Sequence, residues 1–127
     1  MYLDTDVLLA LLKTEDWLAS EVDEADFENP KTSVVTAVEI QLVMFDTWSR
    51  SRLGAVHEEF EAEGIEIVSL TPEALQAGTE LLPEYPSLNV FDALHVGHAR
   101  TLDEPLVSTD TLYPKIEEID HTDPREL

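Results

Sequence analysis

The sequence contains no cysteine, which excludes disulfide frameworks, thiolate metal sites and cysteine nucleophiles. It also contains no run of about 18 apolar residues, the length that a membrane-spanning helix needs. No cationic segment precedes the apolar run from Val7 to Leu12, as one does in a signal peptide. We therefore expect a cytoplasmic protein with no membrane partner, in which any bound metal is held by oxygen or imidazole ligands.

Basic residues are scarce. Lys and Arg together number 7 against 28 Asp and Glu, which gives a formal net charge of -21 over 127 residues. Hydrophobic residues still make up 43% of the chain, enough for a core, so the acidity does not indicate disorder. The acids are spread from Asp4 to Glu126, and their repulsion is strongly screened at about 1 M salt. We therefore expect a halophilic protein, and the charge taken alone argues against nucleic-acid binding.

Strand and helix patterns alternate along the chain. Strands are predicted at residues 1–5, 32–35, 65–70 and 105–109, with an edge strand at 116–119. Helical patterns separate them, including one over 15–27 and one long, buried helix over 36–52. This alternation predicts a three-layer α/β/α domain with a mainly parallel central sheet of four to five strands. We expect the domain to span residues 1–120 and a polar tail to follow at 121–127.

Carboxylates lie where predicted strands end or where helices begin. These residues are Asp4, Asp6, Glu39, Asp92 and Asp110. The carboxyl ends of parallel strands and the first turns of the neighbouring helices meet at one edge of a sheet, so we expect these side chains to converge. Clustered carboxylates repel one another unless a cation neutralises them, and Mg²⁺ and Mn²⁺ prefer oxygen ligands. The pattern predicts metal-assisted hydrolysis.

A purely structural role is the alternative for each acid taken singly. Residues 36–39 and 89–92 have the spacing of a helix capping box, and Asp6 and Asp110 suit N-cap positions. Acids in a first helical turn also complement the helix dipole. The grouping of several such acids at one edge, each beside apolar sequence, favours a functional site over independent caps.

Four segments, taken together, carry a resemblance to a known family. They are Met1-Tyr2-Leu3-Asp4-Thr5-Asp6-Val7-Leu8-Leu9, Thr36-Ala37-Val38-Glu39, Asp92-Ala93-Leu94-His95-Val96-Gly97-His98-Ala99 and Leu106-Val107-Ser108-Thr109-Asp110. In this order and spacing they resemble the PIN-domain ribonucleases, most closely the small VapC-type toxins of toxin-antitoxin pairs. The resemblance implies an endoribonuclease that depends on Mg²⁺ or Mn²⁺, acts on RNA, forms a homodimer and is inhibited by a cognate antitoxin.

The resemblance also implies roles for individual residues. The catalytic residues would be Asp4, Glu39, Asp92 and Asp110. The metal ligands would be Asp4, Asp92 and Asp110, with Asp6 as an accessory ligand. Ser108 and His95 are candidates to support the site, while Arg50 and Arg52 form the one local pair of basic residues and are candidates to contact RNA or a partner.

Other interpretations of the same residues stay open. Asp4 and Asp6 also resemble the first motif of haloacid-dehalogenase-type phosphatases, although the chain has no later Asp-Asp pair. A catalytically idle PIN-like domain that binds RNA or protein is a second alternative. His95 and His98 share a helix face, which permits a zinc site, although no further ligand is evident.

An apolar stripe runs along the predicted helix over 36–52. It consists of Val38, Leu42, Phe45 and Trp48. We expect most of the stripe to belong to the core, with part of it as a candidate dimer or antitoxin surface.

Overall fold

Five strands form the central sheet of the computed structural model, which describes residues 1–13 and 15–127. They are β1 (Tyr2–Leu3), β2 (Lys31–Ser33), β3 (Glu66–Val68), β4 (Leu106–Val107) and β5 (His121–Thr122). Their order is β3-β2-β1-β4-β5, and every neighbouring pair is parallel. The predicted three-layer α/β/α fold with a parallel sheet is confirmed.

Helices cover both faces of this sheet. They are α1 (Thr5–Leu12), α2 (Val34–Val43), α3 (Arg50–Gly54), α4 (Val56–Ala62), α5 (Pro72–Thr79) and α6 (Val90–Leu102). Short 3₁₀ turns lie at Ala19–Glu21, Glu24–Asp26, Tyr113–Lys115 and Pro124–Glu126. Among the residues that the structure describes, no helix has both the length and the apolar character needed to cross a membrane.

The two residues of β1 supply the two cores. Successive side chains of a strand point to opposite faces of its sheet, and both Tyr2 and Leu3 are fully buried. Leu3 packs in the core that includes apolar residues of α1, α2 and α4. Tyr2 packs in the second core, which includes apolar residues of α6. The middle strand is therefore covered on both sides, which explains why it reads as apolar without alternation.

Two glycines let α5 and α6 approach closely. A Cβ atom added at Gly97 would lie 2.0 Å from the Ala74 carbonyl oxygen, and one added at Gly78 would lie 1.8 Å from the Ala93 carbonyl oxygen. Real Cβ atoms do not tolerate such distances to backbone atoms. Glycine at these two positions is therefore a packing requirement, and it fixes α6 against α5.

The helix predicted over 36–52 is shorter than expected and begins earlier. Ser33 caps α2, since its side chain accepts a hydrogen bond from the Val35 N–H at 3.2 Å. The helix ends at Val43, and α3 follows after Ser49, whose side chain accepts from the Arg52 N–H at 3.2 Å. A serine side chain thus caps each of two separate helices, where the sequence predicts a single long helix.

The pattern over 15–27 also predicts more helix than the structure contains. This stretch holds two 3₁₀ turns. Asp16 accepts a hydrogen bond from the Leu18 N–H at 3.0 Å, and Asp23 accepts from the Ala25 N–H at 2.9 Å. Short acidic side chains that bind nearby backbone N–H groups compete with helical hydrogen bonding. Thr14 lies outside the described residues.

The edge strand predicted at 116–119 lies instead at His121–Thr122. This strand pairs with β4, with Leu106 opposite His121. It falls within the segment 121–127, which the sequence predicts to be a polar tail, and Pro124 in that segment is buried. His121 and Thr122 are polar and only partly buried, which suits a short strand at the edge of a sheet.

Most of the apolar stripe is exposed, so the prediction that most of it belongs to the core is wrong. Val38, Leu42 and Phe45 have exposed fractions of 45%, 61% and 57%. Trp48 alone is half-buried, and it packs against the core that contains Leu3.

Candidate active site

The order in which the chain adds strands to the sheet reverses between β1 and β4. From β1 the chain builds outward through β2 and β3, and it then returns to the other side of β1 to add β4 and β5. Ligands of open α/β sheets bind beyond the carboxyl ends of the strands at such a switch point. Asp4 directly follows β1 and Ser108 directly follows β4, so these two residues open the candidate site.

Asp4 is a buried carboxylate held by hydrogen bonds on both oxygens. Its Oδ1 accepts from the Thr5 N–H at 2.8 Å, and its Oδ2 accepts from the Ser108 hydroxyl at 2.8 Å. Burial raises the pKa of Asp4 to about 6; His95 opposes this rise and Asp6 adds to it. A cation beside such a buried carboxylate stabilises its ionised form, because the positive charge offsets the loss of hydration.

Glu39 reaches the same place from the second turn of α2. Its Oε1 accepts a hydrogen bond from the Thr5 hydroxyl at 2.8 Å and is also in short contact with His95 Nε2. His95 Nε2 lies 3.4 Å from Asp4 Oδ1. One ligand atom from each of Asp4, Glu39 and His95 lies within 4.8 Å of the other two. The capping-box interpretation of residues 36–39 is wrong, because Ser33 is the cap and Thr36 lies inside the helix.

His95 is fully enclosed beneath these carboxylates. Burial by itself lowers the pKa of His95, but Tyr2, Asp4 and Glu39 outweigh it and hold the pKa well above its usual value. His95 and His98 do not act together: the three-residue group that could hold a metal includes His95 and leaves His98 out. The zinc alternative that needs both histidines therefore has no geometric support among the described residues.

Tyr113 links Asp92 and Asp110 to the region around Asp4. The Tyr113 hydroxyl donates to Asp92 Oδ1 at 3.2 Å. Burial raises the pKa of Asp92; the Tyr113 and Asn89 hydrogen bonds oppose the rise, and Asp110 adds to it. Burial is also the main cause that raises the pKa of Tyr113, and the negative charges of Asp4, Asp92 and Asp110 add to it. All three carboxylates therefore lie close enough to Tyr113 to raise its pKa, and its hydroxyl stays neutral.

Asp110 is the exposed member of the group. Its Oδ1 accepts from the Leu112 N–H at 2.9 Å, and its own N–H donates to the Ser108 hydroxyl oxygen at 3.0 Å. The side chain therefore caps the turn that follows β4, as the structural alternative predicts, and it still lies close enough to raise the pKa of Asp92. Capping and membership of the acidic group are compatible here.

Both oxygens of Asp6 are occupied by donors of the protein. Oδ1 accepts from the Val7 N–H at 2.9 Å, and Oδ2 accepts from the Thr109 N–H at 2.9 Å and the Thr109 hydroxyl at 2.5 Å. Asp6 thereby ties α1 to the segment after β4. Its predicted role as an accessory metal ligand stays a prediction, because these donors would have to share its oxygens with the ion.

The arginine pair separates into one occupied and one exposed side chain. Arg52 binds Glu59 at 3.0 Å and the Leu12 carbonyl at 3.0 Å, and its guanidinium lies 3.6 Å from the centre of the Trp48 ring. Arg50 is exposed, and its guanidinium lies 5.9 Å from the centre of the Phe45 ring. Contact of either arginine with RNA or a partner stays a prediction, and Arg50 is the better placed of the two.

Three residues of the site were not singled out from the sequence. Tyr2 and Thr5 bind His95 and Glu39, and Thr109 binds Asp6. Only Tyr2 carried a signal, because a tyrosine in a short buried strand needs a partner for its hydroxyl. Thr5 and Thr109 are ordinary residues in sequence, and their roles depend on distances across the fold.

The donor set fits a hard divalent cation. It consists of the carboxylate oxygens of Asp4 and Glu39 from separate chain segments, with His95 Nε2 beside them as a hydrogen-bond partner of Glu39, and oxygen ligands suit Mg²⁺ and Mn²⁺. The fold and this acidic edge together define an α/β protein with a carboxylate site at the switch point of a parallel sheet. Residues 1–119 match the model of the PIN domain family, and the chain belongs to that family. This membership argues against the haloacid-dehalogenase-type alternative.

Several solved structures share the fold. The VapBC complex from Salmonella typhimurium, solved bound to DNA, is 19% identical with a TM-score of 0.74, and 95% of each chain is covered. VapBC2 from Rickettsia felis, bound to a fragment of its promoter, is 16% identical with a TM-score of 0.72 over 95% of this chain and 96% of that one. FitAcB from Neisseria gonorrhoeae is 17% identical with a TM-score of 0.66 over 99% of both chains. No curated protein sequence matches the chain.

Proposed function

We propose that the chain is a divalent-metal-dependent endoribonuclease, and that it is the toxin of a toxin-antitoxin pair acting in the cytoplasm. The observation that supports the chemistry most strongly is the gathering of carboxylates from separate segments at the switch point of the sheet. They are Asp4, Glu39, Asp92 and Asp110. Membership in the PIN domain family and the likeness to VapBC complexes support the biological role.

Each residue of the site has a distinct task in this proposal. Asp4, Glu39 and Asp92 hold the cation, and Asp110 completes the set from the solvent side. When bound, Mg²⁺ or Mn²⁺ supplies the positive charge that makes water more acidic and stabilises the leaving oxygen of the cleaved ester. The Ser108 hydroxyl fixes Asp4 through Oδ2, so the carboxylate keeps one orientation before substrate arrives.

RNA recognition must work against the charge of the protein. With a net charge of -21, the surface repels a polyanion in dilute buffer. Molar salt removes most of that repulsion and also most of the attraction between cations and phosphates. Binding under such conditions depends on short-range contacts, which favours a selective nuclease over a general one.

Cleavage assays in about 2 M KCl test the activity. Wild-type protein is incubated with structured and single-stranded RNA in the presence of Mn²⁺, Mg²⁺ or EDTA, beside Asp92→Asn and Asp103→Asn. Asp103 is the control because it caps the other end of α6 in a left-handed conformation that asparagine also adopts. We expect metal-dependent cleavage by wild type and Asp103→Asn, and a loss of at least about 100-fold in Asp92→Asn. Folded wild type that cleaves none of several RNAs would favour the idle, binding-only alternative.

The exposed face of α2 is the proposed antitoxin site. Val38, Leu42 and Phe45 border a groove of about 370 Å³ that also includes Arg50 and Leu53. Exposed apolar grooves of this kind on a soluble domain mark interaction surfaces. An apolar helix of a basic antitoxin suits the groove, because the groove itself is apolar while the chain around it is strongly acidic.

Co-purification tests this surface. The chain is produced with the product of a neighbouring small gene, as wild type and as Leu42→Asp and Leu75→Asp. Leu75 is the matched control, since it is an exposed leucine (44%) on α5, whereas Leu42 is 61% exposed on α2. We expect only Leu42→Asp to lose the partner, and loss in both variants or in neither would reject the α2 face.

Light scattering of the free chain tests the proposed homodimer.

A further inference from the structure

A buried chain of hydrogen bonds leads from the start of α2 to the acidic site. The Val35 N–H donates to the Ser33 hydroxyl, which lies 2.8 Å from the Tyr2 hydroxyl. The Tyr2 hydroxyl lies 2.8 Å from His95 Nδ1. At the other side of the ring, Nε2 faces Glu39 and Asp4. Ser33, Tyr2 and His95 are all essentially inaccessible to solvent, so no water can replace a missing partner in this chain.

The contact with Glu39 determines which ring nitrogen of His95 carries hydrogen. A carboxylate offers no hydrogen to donate, so the contact between Nε2 and Glu39 requires the hydrogen to be on Nε2. The Tyr2 hydroxyl can then donate to a bare Nδ1 or accept from an Nδ1–H, and Ser33 complements either choice. Nε2–H therefore points at the carboxylates whether the imidazole is neutral or charged.

Both hydrogen bonds that the Glu39 side chain makes with the described residues are on one oxygen. Its Oε1 receives both the Thr5 hydroxyl and His95 Nε2–H. Hydrogen-bond donors prefer the plane of a carboxylate, so two donors on Oε1 restrict the orientation of the Glu39 carboxylate. We propose that His95 is a positioning residue of the acidic site, which orients Glu39 for the cation through the Ser33–Tyr2 hydrogen-bond chain. This inference rests on the proposed metal-dependent function.

His98 is a natural comparison for His95. It lies one turn further along α6, is equally buried, and stacks on the same Tyr2 ring with centroids 5.5 Å apart. Its Nε2 has no hydrogen-bond partner among residues 1–13 and 15–127. The two histidines therefore share helix, burial and aromatic neighbour, and only His95 contacts the carboxylates.

The first test measures the hydrogen positions directly in wild-type protein. Long-range ¹H–¹⁵N spectra of histidine rings distinguish a hydrogen on Nε2 from one on Nδ1. We expect His95 to carry hydrogen on Nε2, and Tyr2→Phe to shift the His95 Nδ1 resonance with that hydrogen retained. A hydrogen on Nδ1 with a bare Nε2 in wild type would overturn the proposal, and this wild-type measurement does not depend on metal binding or on any variant folding.

The second test measures Mn²⁺ affinity by calorimetry or by the loss of the free-ion electron-spin signal. We expect His95→Leu, which removes the donor to Glu39, to weaken Mn²⁺ binding about 10-fold, Tyr2→Phe to weaken it less, and His98→Leu to leave it unchanged. Equal affinity in wild type and His95→Leu, or tighter binding by the variant, would refute the positioning role. If wild type binds neither Mn²⁺ nor Mg²⁺, the proposed function fails, whereas the hydrogen position still decides the inference about His95.

Discussion

His98 should make the stability of the protein sensitive to mild acid. Burial, helped by the neighbouring His95, lowers the pKa of His98 from 6.5 to about 4. Between these two values the unfolded chain binds a proton that the folded protein does not bind. The free energy of unfolding must therefore fall as the pH falls from about 6.5 towards 4.

The size of this effect follows from the difference between the two pKa values. One pKa unit corresponds to about 1.4 kcal/mol, so the lowering to about 4 is worth roughly 3.4 kcal/mol when it is fully expressed. At pH 5 only part of it is expressed, and the linkage relation gives a loss of about 2 kcal/mol relative to pH 7.5. This is a large fraction of the stability of a small domain.

Other groups act against His98 in the same pH range. The pKa of Asp4 is raised to about 6, mainly by burial, and that of Glu63 is raised to about 7, mainly by its hydrogen bond with Glu24. Such carboxyls take up protons more readily in the folded state, so their contribution to stability grows as the pH falls. Only a comparison with a variant that lacks His98 isolates its contribution.

Urea unfolding of wild type and His98→Gln at pH 5 and pH 7.5 makes this comparison, in about 2 M KCl and with tryptophan fluorescence as the signal. We expect wild type to lose about 2 kcal/mol more than the variant on going to pH 5. Both conditions lie above the pI of about 4.1, where the protein still carries the charge that keeps it in solution. Equal losses in the two proteins would refute the buried, neutral state of His98.

Three further predictions concern packing, charge and the site. Gly97→Ala should lower the free energy of unfolding by about 3 kcal/mol because its Cβ would meet the Ala74 carbonyl, whereas Gly54→Ala, which has open space, should not; urea unfolding distinguishes them. The melting temperature should rise steadily from about 0.1 to 2 M KCl as repulsion is screened, and a flat profile would contradict a halophilic surface. Asp4→Asn should abolish cleavage yet raise the free energy of unfolding at pH 8 by about 1 to 2 kcal/mol, because a carboxyl with a raised pKa is destabilising when ionised; a loss of stability would refute this.

The position of the acids at one edge was predictable because topology determines it. Strand ends in a parallel sheet face one way, so Asp4 and Asp110 could be placed without any distance. Glu39 was placed for a partly wrong reason: it was assigned to a first turn, and it reaches the site from the second turn of a helix that begins at Val34. The error did not change the predicted location of Glu39, because the point at which a helix begins does not alter the face on which a residue lies.

What the sequence could not reveal are contacts that need exact distances or a missing partner. The Tyr2 to His95 hydrogen bond joins residues 93 positions apart, and nothing in either local pattern marks it. The exposed face of α2 looked like core because an apolar stripe carries no information about what covers it. Leu42 is apolar for the same physical reason in a core and in an interface, which is the removal of its surface from water.

Two kinds of acidity in this protein answer to different conditions. The surface acids act over long distances through water, so dissolved salt neutralises their repulsion without binding at any one place. Asp4 and Asp92 are withdrawn from water, and the pKa of each is raised mainly by burial, which bulk salt does not reverse. Only a group placed among them, such as a bound cation or a donor like His95 Nε2–H, offsets that burial. Stability should therefore follow salt concentration while cleavage follows the divalent ion, and the two dependences can be titrated separately in the same sample.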